Sequence, residues 1–184
     1  EITGFEYNQK KLSALVDSNG NRWEADQFVV NADAALFRGK ILGRPAFRPE
    51  KLDTMRWTMA PLTIYLGIKG KIPDIYHHNY FLGPNFRDYA NNLFKNKVSL
   101  EKPYYYVNVL SRHNPESAPE GCESLFILVP VPDLRYRPDW SDRDEIVDSI
   151  LQDLSERIGF DLPGNLMSKT VLSPVEWQNM FNLY

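Results

Sequence analysis

Residues 124–131 read Ser-Leu-Phe-Ile-Leu-Val-Pro-Val. Side chains of a strand alternate between two faces, and here both faces are apolar, which predicts a central strand rather than an exposed edge. The turn-rich stretch 114–121, Asn-Pro-Glu-Ser-Ala-Pro-Glu-Gly, separates it from a second strand over 104–110. In that second strand Tyr104, Tyr106, Asn108 and Leu110 share one face, and Tyr105, Val107 and Val109 the other. Downstream, Ile146, Ile150, Leu154 and Ile158 recur every fourth residue, flanked by Val147 and Leu151, so an amphipathic helix is expected over Asp142–Ile158. Ser141 with Asp144 resembles a capping box, and Gly159 is placed to end the helix. Ser173-Pro174-Val175-Glu176 is a second helix start, with Pro first and Glu third.

Upstream, Thr58–Ile68 and Tyr76–Leu82 read as strands, and Pro61 predicts a bulge or an edge because proline cannot donate to a ladder. Asn85 is expected to cap a helix reaching Phe94, with Asp88 at its third position. Residues 2–31 read as a β-meander, with Lys11–Asp17 and Arg22–Ala25 joined through Asn19-Gly20 in a type I′ turn. Gln27-Phe28-Val29-Val30 looks like a short buried strand, and Ala34–Lys40 a short helix ended near Gly43. Pro45–Asp53 reads as the crossing between two domains, 1–44 and 45–184. The fold class is α+β: a mixed, largely antiparallel sheet covered by helices, with a small β-meander attached. Glu1 already lies within a strand, and Leu183-Tyr184 falls about two turns into a capped helix, so a piece of a longer chain is expected.

A net charge of −3 gives no electrostatic footprint for nucleic acid. Ten Tyr and ten Phe suit either a large apolar pocket or an aromatic core. The longest apolar run, Leu125–Val131, is too short to span a bilayer and is broken by Pro130. One cysteine, Cys122, excludes a disulfide framework or thiolate cluster within the chain, and its neighbours Glu120 and Glu123 argue against a nucleophile.

Motifs that carry chemistry are scarce. No Gly-x-Gly-x-x-Gly, P-loop or Gly-x-Ser-x-Gly is present, and Gly67 and Gly70 lead into Pro73 rather than a helix. His77 and His78 are adjacent, so on a strand they face opposite ways and cannot hold one metal from one side. His113 is distant in sequence, so no metal is expected, and a hydrogen-bonded structural role competes with a role in a pocket. Tyr104-Tyr105-Tyr106 could stack on a base or a polyene, but alternation makes part of the run core. Composition and spacing by themselves reach an α+β domain and stop there.

Four segments together resemble the phytoene desaturase family of flavoproteins. They are DSNGNRWEADQFVVNAD over 17–33, LTIYLGIKGKIPDIYHHNYFL over 62–82, SAPEGCESLFILVPVPDL over 117–134 and VLSPVEWQNMFNL over 171–183. They occur in the family's order and cover most of the chain, the third being the most specific. The resemblance implies an FAD-dependent oxidoreductase that desaturates or isomerises a long isoprenoid or carotenoid such as phytoene. Residues 1–44 would be the stub of its flavin domain and 45–184 its substrate domain. The family's glycine-rich flavin segments are absent here, so FAD is expected to be held by the full-length parent, and the fragment alone is expected to be inactive. By the resemblance, Asn31 and Ala32 lie where the chain passes the flavin. Tyr65, His78 and Tyr80 are expected to line a substrate tunnel, and no residue is assigned as catalytic. The parent is expected to be cytoplasmic and peripherally attached to a membrane, with neither metal nor nucleic acid as a partner. Two other readings stay open: a stand-alone lipid- or polyene-binding module, and an amine-oxidase-like flavoenzyme with another substrate.

Overall fold

A computed structural model describes residues 1–94, 100 and 103–183. The chain divides into two compact units, one made of Glu1–Arg56 with the residues from Gln178 onward, the other of Trp57–Trp177.

In the first unit, strands β1 (Ile2–Asn8), β2 (Lys11–Asp17) and β3 (Arg22–Glu24) form an antiparallel meander in sequence order. The β2–β3 turn differs from expectation. Gly20 takes a left-handed conformation but Asn19 does not, so the four residues 18–21 between the strands form a longer loop rather than a type I′ turn. The Asp17 side chain decides this. Its carboxylate accepts from Asn19 N, Asn21 N, Asn21 Nδ2 and Trp23 Nε1 at 2.9–3.1 Å. The Trp23 indole, followed by Asn21, lowers the Asp17 carboxyl to about 2.

Residues 27–30 form no strand, and Val29 and Val30 are exposed. A β-branched run fits a pleated surface but still needs a ladder, and none of the described strands pairs with this one. Helix α1 (Ala34–Leu36), capped by Asp33 Oδ1 on Leu36 N at 2.9 Å, runs on as a π turn over Phe37–Ile41, and α2 is Pro49–Leu52.

The second unit is built on a five-stranded sheet. Its strands are β4 (Ala60–Lys69), β5 (His78–Phe81), β6 (Tyr105–Val109), β7 (Cys122–Val131) and β8 (Leu166–Leu172). The order is β5-β6-β7-β4-β8 with every pair antiparallel, so β7 is central as its two apolar faces predict. Pro61 faces Pro130 across the β4–β7 ladder, and β8 pairing stops at Thr63. Two prolines can face each other only at a non-hydrogen-bonded pair, where their nitrogens point away from each other. Pro61 therefore sits at a local edge, without a bulge in that ladder.

Helix α4 (Arg143–Ile158) lays Ile146, Val147, Ile150, Leu151 and Leu154 on one face of this sheet. Opposite them stand Leu62, Ile64, Leu66, Ile68, Leu125, Ile127, Val129, Val107 and Val109, all buried. At about 1.5–3 kcal/mol per buried aliphatic side chain, this layer is the main favourable term of the unit. Gly159 ends α4 in the left-handed conformation, as the sequence suggests. Ser141 does not cap it, because its N–H and hydroxyl are taken by Asp139 at 2.9 and 3.1 Å. Helix α5 (Pro174–Phe181) opens with a reciprocal cap: Ser173 N donates to Glu176 Oε2 at 2.7 Å and Val175 N to Ser173 Oγ at 3.2 Å. Tyr184, the expected helical chain end, lies outside the described residues.

Candidate functional site

The second face of the sheet carries the candidate site. Strand registers set two rows across it. One runs Thr170, Tyr65, Phe126, Asn108, His78; the next runs Leu172, Thr63, Leu128, Tyr106, Tyr80. Ring contacts join the middle of both rows: Tyr65–Phe126 at 5.2 Å, Phe126–Tyr106 at 6.4 Å and Tyr106–Tyr80 at 5.2 Å. While the α4 face is sealed, Tyr65, Tyr80 and His78 on this face are exposed, and Phe126 and Leu128 are half-buried. An apolar aromatic floor open to its surroundings costs the protein hydration free energy unless something covers it.

One end of the floor has walls. Helix α3 (Phe86–Leu93) brings Tyr89 against Tyr104 with ring centroids 4.4 Å apart, and the Tyr89 hydroxyl donates to the Pro130 carbonyl at 2.9 Å. Burial pushes the Tyr89 hydroxyl well above the ordinary tyrosine range. Asn85 does not cap α3 by its side chain; its N–H donates to Tyr104 Oη at 2.9 Å. At the β8 side, Trp177 Nε1 donates to Thr63 Oγ1 at 3.2 Å.

At the β5 edge the histidines gather. His77 lies 4.1 Å from His78 and 5.2 Å from His113, ring to ring, although His113 is distant in sequence. His77 stands just before β5, where strand alternation does not yet separate it from His78. Among the described residues no group of three His, Cys, Asp or Glu is arranged to hold a metal. A shallow cavity in the first unit has Glu6, Lys11, Arg22 and Glu24 among its walls, which suits neither an apolar chain nor a flavin ring.

The structure thus brings Tyr65, His78 and Tyr80 onto one sheet face in the second unit, while Asn31 and Ala32 are exposed in the irregular stretch ahead of α1. Phe126 and Asn108 complete the rows and escape a reading of single strands. Their signal is the cross-strand register, which no isolated segment carries. Glu123, next to Cys122 in sequence, turns to the opposite face and lies 3.1 Å from Arg112.

No family model matches the chain. The zeta-carotene-forming phytoene desaturase of Myxococcus xanthus is 30% identical over 162 residues, covering 87% of this chain and 31% of that protein. The lycopene-forming phytoene desaturase of a Paracoccus strain is 28% identical over 189 residues, covering all of this chain and 38% of its own length. By sequence, the chain is similar over most of its length to phytoene desaturases. It spans about a third of the length of these curated relatives. In fold it is similar to an oxidoreductase from Methanosarcina mazei, with a TM-score of 0.52 at 14% identity over 93% of the chain. Reduced UDP-galactopyranose mutase gives 0.50 at 18% over 92%.

The cofactor implied for a phytoene desaturase relative is FAD, whose pyrophosphate is held at a glycine-rich turn between a strand and a helix. Among the described residues no strand passes into a helix through a glycine-rich turn, so these elements offer no cradle for a pyrophosphate.

Proposed function

We propose that this chain is the substrate-domain part of an FAD-dependent oxidoreductase that desaturates or isomerises a long isoprenoid such as phytoene. Residues 1–44 are the flavin-side stub and 45–184 the substrate domain. The observation that carries the reading is the two-faced sheet: one face is sealed by α4, and the other is an aromatic floor continuous over four strands from Tyr65 to Tyr80. Such a floor suits an extended hydrocarbon, which offers area and polarisable π-electrons but no hydrogen bonds.

In this reading Tyr65, Phe126, Tyr106 and Tyr80 hold the chain flat and fix which bond is presented. FAD, held by residues beyond this chain, supplies the hydride acceptor, and Asn31 and Ala32 lie on its side of the parent. The substrate is drawn from a membrane surface by a peripherally attached cytoplasmic protein. Among the described residues no helix is long and apolar enough to cross a membrane.

The test is to purify the complete natural polypeptide, record its flavin absorbance and incubate it with phytoene in liposomes. Longer-wavelength absorbing products with added conjugated double bonds, or a shifted isomer, are expected. A flavin-free polypeptide that leaves phytoene unchanged would sink the proposal.

A further inference from the structure

The aromatic floor ends in a polar fixture at the β5 edge, where hydrogen bonds join His77, Asn108, Tyr106 and His78. His77 Nδ1 lies 3.0 Å from the Val109 carbonyl, which can only accept, so Nδ1 carries the proton and Nε2 is the acceptor. Asn108 Nδ2 can only donate, and it reaches His77 Nε2 at 3.4 Å and Tyr106 Oη at 3.1 Å. The Tyr106 hydroxyl, accepting from Asn108, donates in turn to His78 Nδ1 at 2.6 Å. Asn108 Nδ2 also lies 3.3 Å from His78 Nδ1, and because it can only donate, Nδ1 of the neutral ring accepts and Nε2 carries the proton.

The Nε2–H of His78 meets no partner among the described residues, and the ring is exposed at the end of the row that runs through Tyr65 and Phe126. An N–H donor held by three residues at the end of an apolar floor is wasted on a pure hydrocarbon. It fits a ligand with an acceptor oxygen next to an isoprenoid tail.

We propose that His78, oriented by Tyr106 and Asn108, is a recognition site for an oxygenated isoprenoid terminus, a hydroxyl or a carbonyl. An isoprenoid that carries oxygen at the end lying over β5 is then bound more tightly than the hydrocarbon of the same length, whichever of the two the protein turns over. His78 is the contact, and Tyr106 and Asn108 are positioning residues. This inference rests on the aromatic floor being the isoprenoid site.

The experiment titrates the complete natural polypeptide with geranylgeraniol and, separately, with the C20 hydrocarbon lacking only the hydroxyl. Tryptophan fluorescence and calorimetry report binding. One neutral hydrogen bond predicts about three- to tenfold tighter binding of the alcohol. In His78→Phe the ratio of the two dissociation constants is expected to fall to near one, because the ring stays and the donor goes. In Tyr106→Phe the ratio is expected to fall as well, since His78 loses one of the bonds that fix its tautomer, and a purely structural role would weaken both ligands alike. Equal affinities in the native protein overturn the inference and leave the isoprenoid site standing. A preference that survives both substitutions also overturns it. Failure of both ligands to bind removes the isoprenoid reading itself.

Discussion

Arg143 Nη1 lies 2.7 Å from Glu176 Oε1 and joins the first turn of α4 to the first turn of α5. The same Glu176 accepts the Ser173 N–H through its other oxygen, so one carboxylate closes a cap and an ion pair together. Burial pushes this carboxyl up, but the Ser173 bonds and the Arg143 charge outweigh it and leave it below the ordinary 4.5. A lowered folded value contributes stability that is present above the ordinary value and is lost as pH falls through the folded one. Glu176→Ala is expected to cost about 1–2 kcal/mol at neutral pH. Glu176→Gln keeps an acceptor for Ser173 and should lie between. Urea midpoints measured from pH 7 downward should converge for native protein and Glu176→Ala in acid, and a constant gap would contradict the assignment.

Gly83 leaves no room for a side chain. A Cβ there would fall into the Tyr104 ring, which is buried and also accepts the Asn85 N–H. Gly83→Ala is therefore expected to destabilise by about 1–3 kcal/mol through overpacking. A double-mutant cycle with Tyr104→Ala should show coupling of about 1 kcal/mol or more, since removing the ring opens the space. Additive effects in denaturant unfolding would mean the ring is not the obstacle.

Glu123 is a carboxylate with a fully buried side chain on the α4 side of the sheet. The Ser111 hydroxyl donates to it, Arg112 Nη2 stands 3.1 Å from Oε1 without hydrogen-bond alignment, and the half-exposed Lys71 is 3.8 Å away. Arg112→Met strands a buried charge and is expected to cost about 3 kcal/mol. Lys71→Met, on an exposed side chain, should cost under about 1 kcal/mol. Adding Glu123→Gln to Arg112→Met should recover part of the loss in thermal unfolding. The reverse ranking of Arg112 and Lys71 would show that Lys71 carries the pair.

Much of this architecture can be read from local patterns because local physics sets it. The two apolar faces of 124–131 make β7 central, the fourfold spacing from Ile146 makes α4, and Ser173 with Glu176 makes the α5 cap. What resists reading is set by partners far off in sequence. Asn19-Gly20 would give a type I′ turn if Asp17 did not gather three backbone and side-chain donors and an indole around a longer one. Val29 and Val30 have strand character but no described strand beside them. The gathering of His77 and His113, and the row that aligns Tyr65 with His78 through Phe126 and Asn108, exist only once β5, β6, β7 and β4 are in register.

Phe126 distinguishes a ligand floor from an incidental patch. It sits between Tyr65 and Tyr106 on the central strand, half-buried, with the sealed core on the other face of the same strand. If an isoprenoid chain lies on it, Phe126→Ala removes contact area worth about 1–2 kcal/mol, or roughly tenfold in KM or dissociation constant for phytoene. Tyr65→Ala should give a comparable rise, since that ring lies in the same row and, at 38% exposed, offers the ligand area to cover. Neither change touches the Ile127–α4 layer, so thermal stability should fall by less than it does for Ile127→Ala, which empties a fully buried site at a cost of about 2–5 kcal/mol. Steady-state kinetics of the complete natural polypeptide on phytoene, set beside melting curves of the three variants, separate the two effects. A Phe126→Ala protein with unaltered KM and product pattern would show that the floor is covered by something other than substrate.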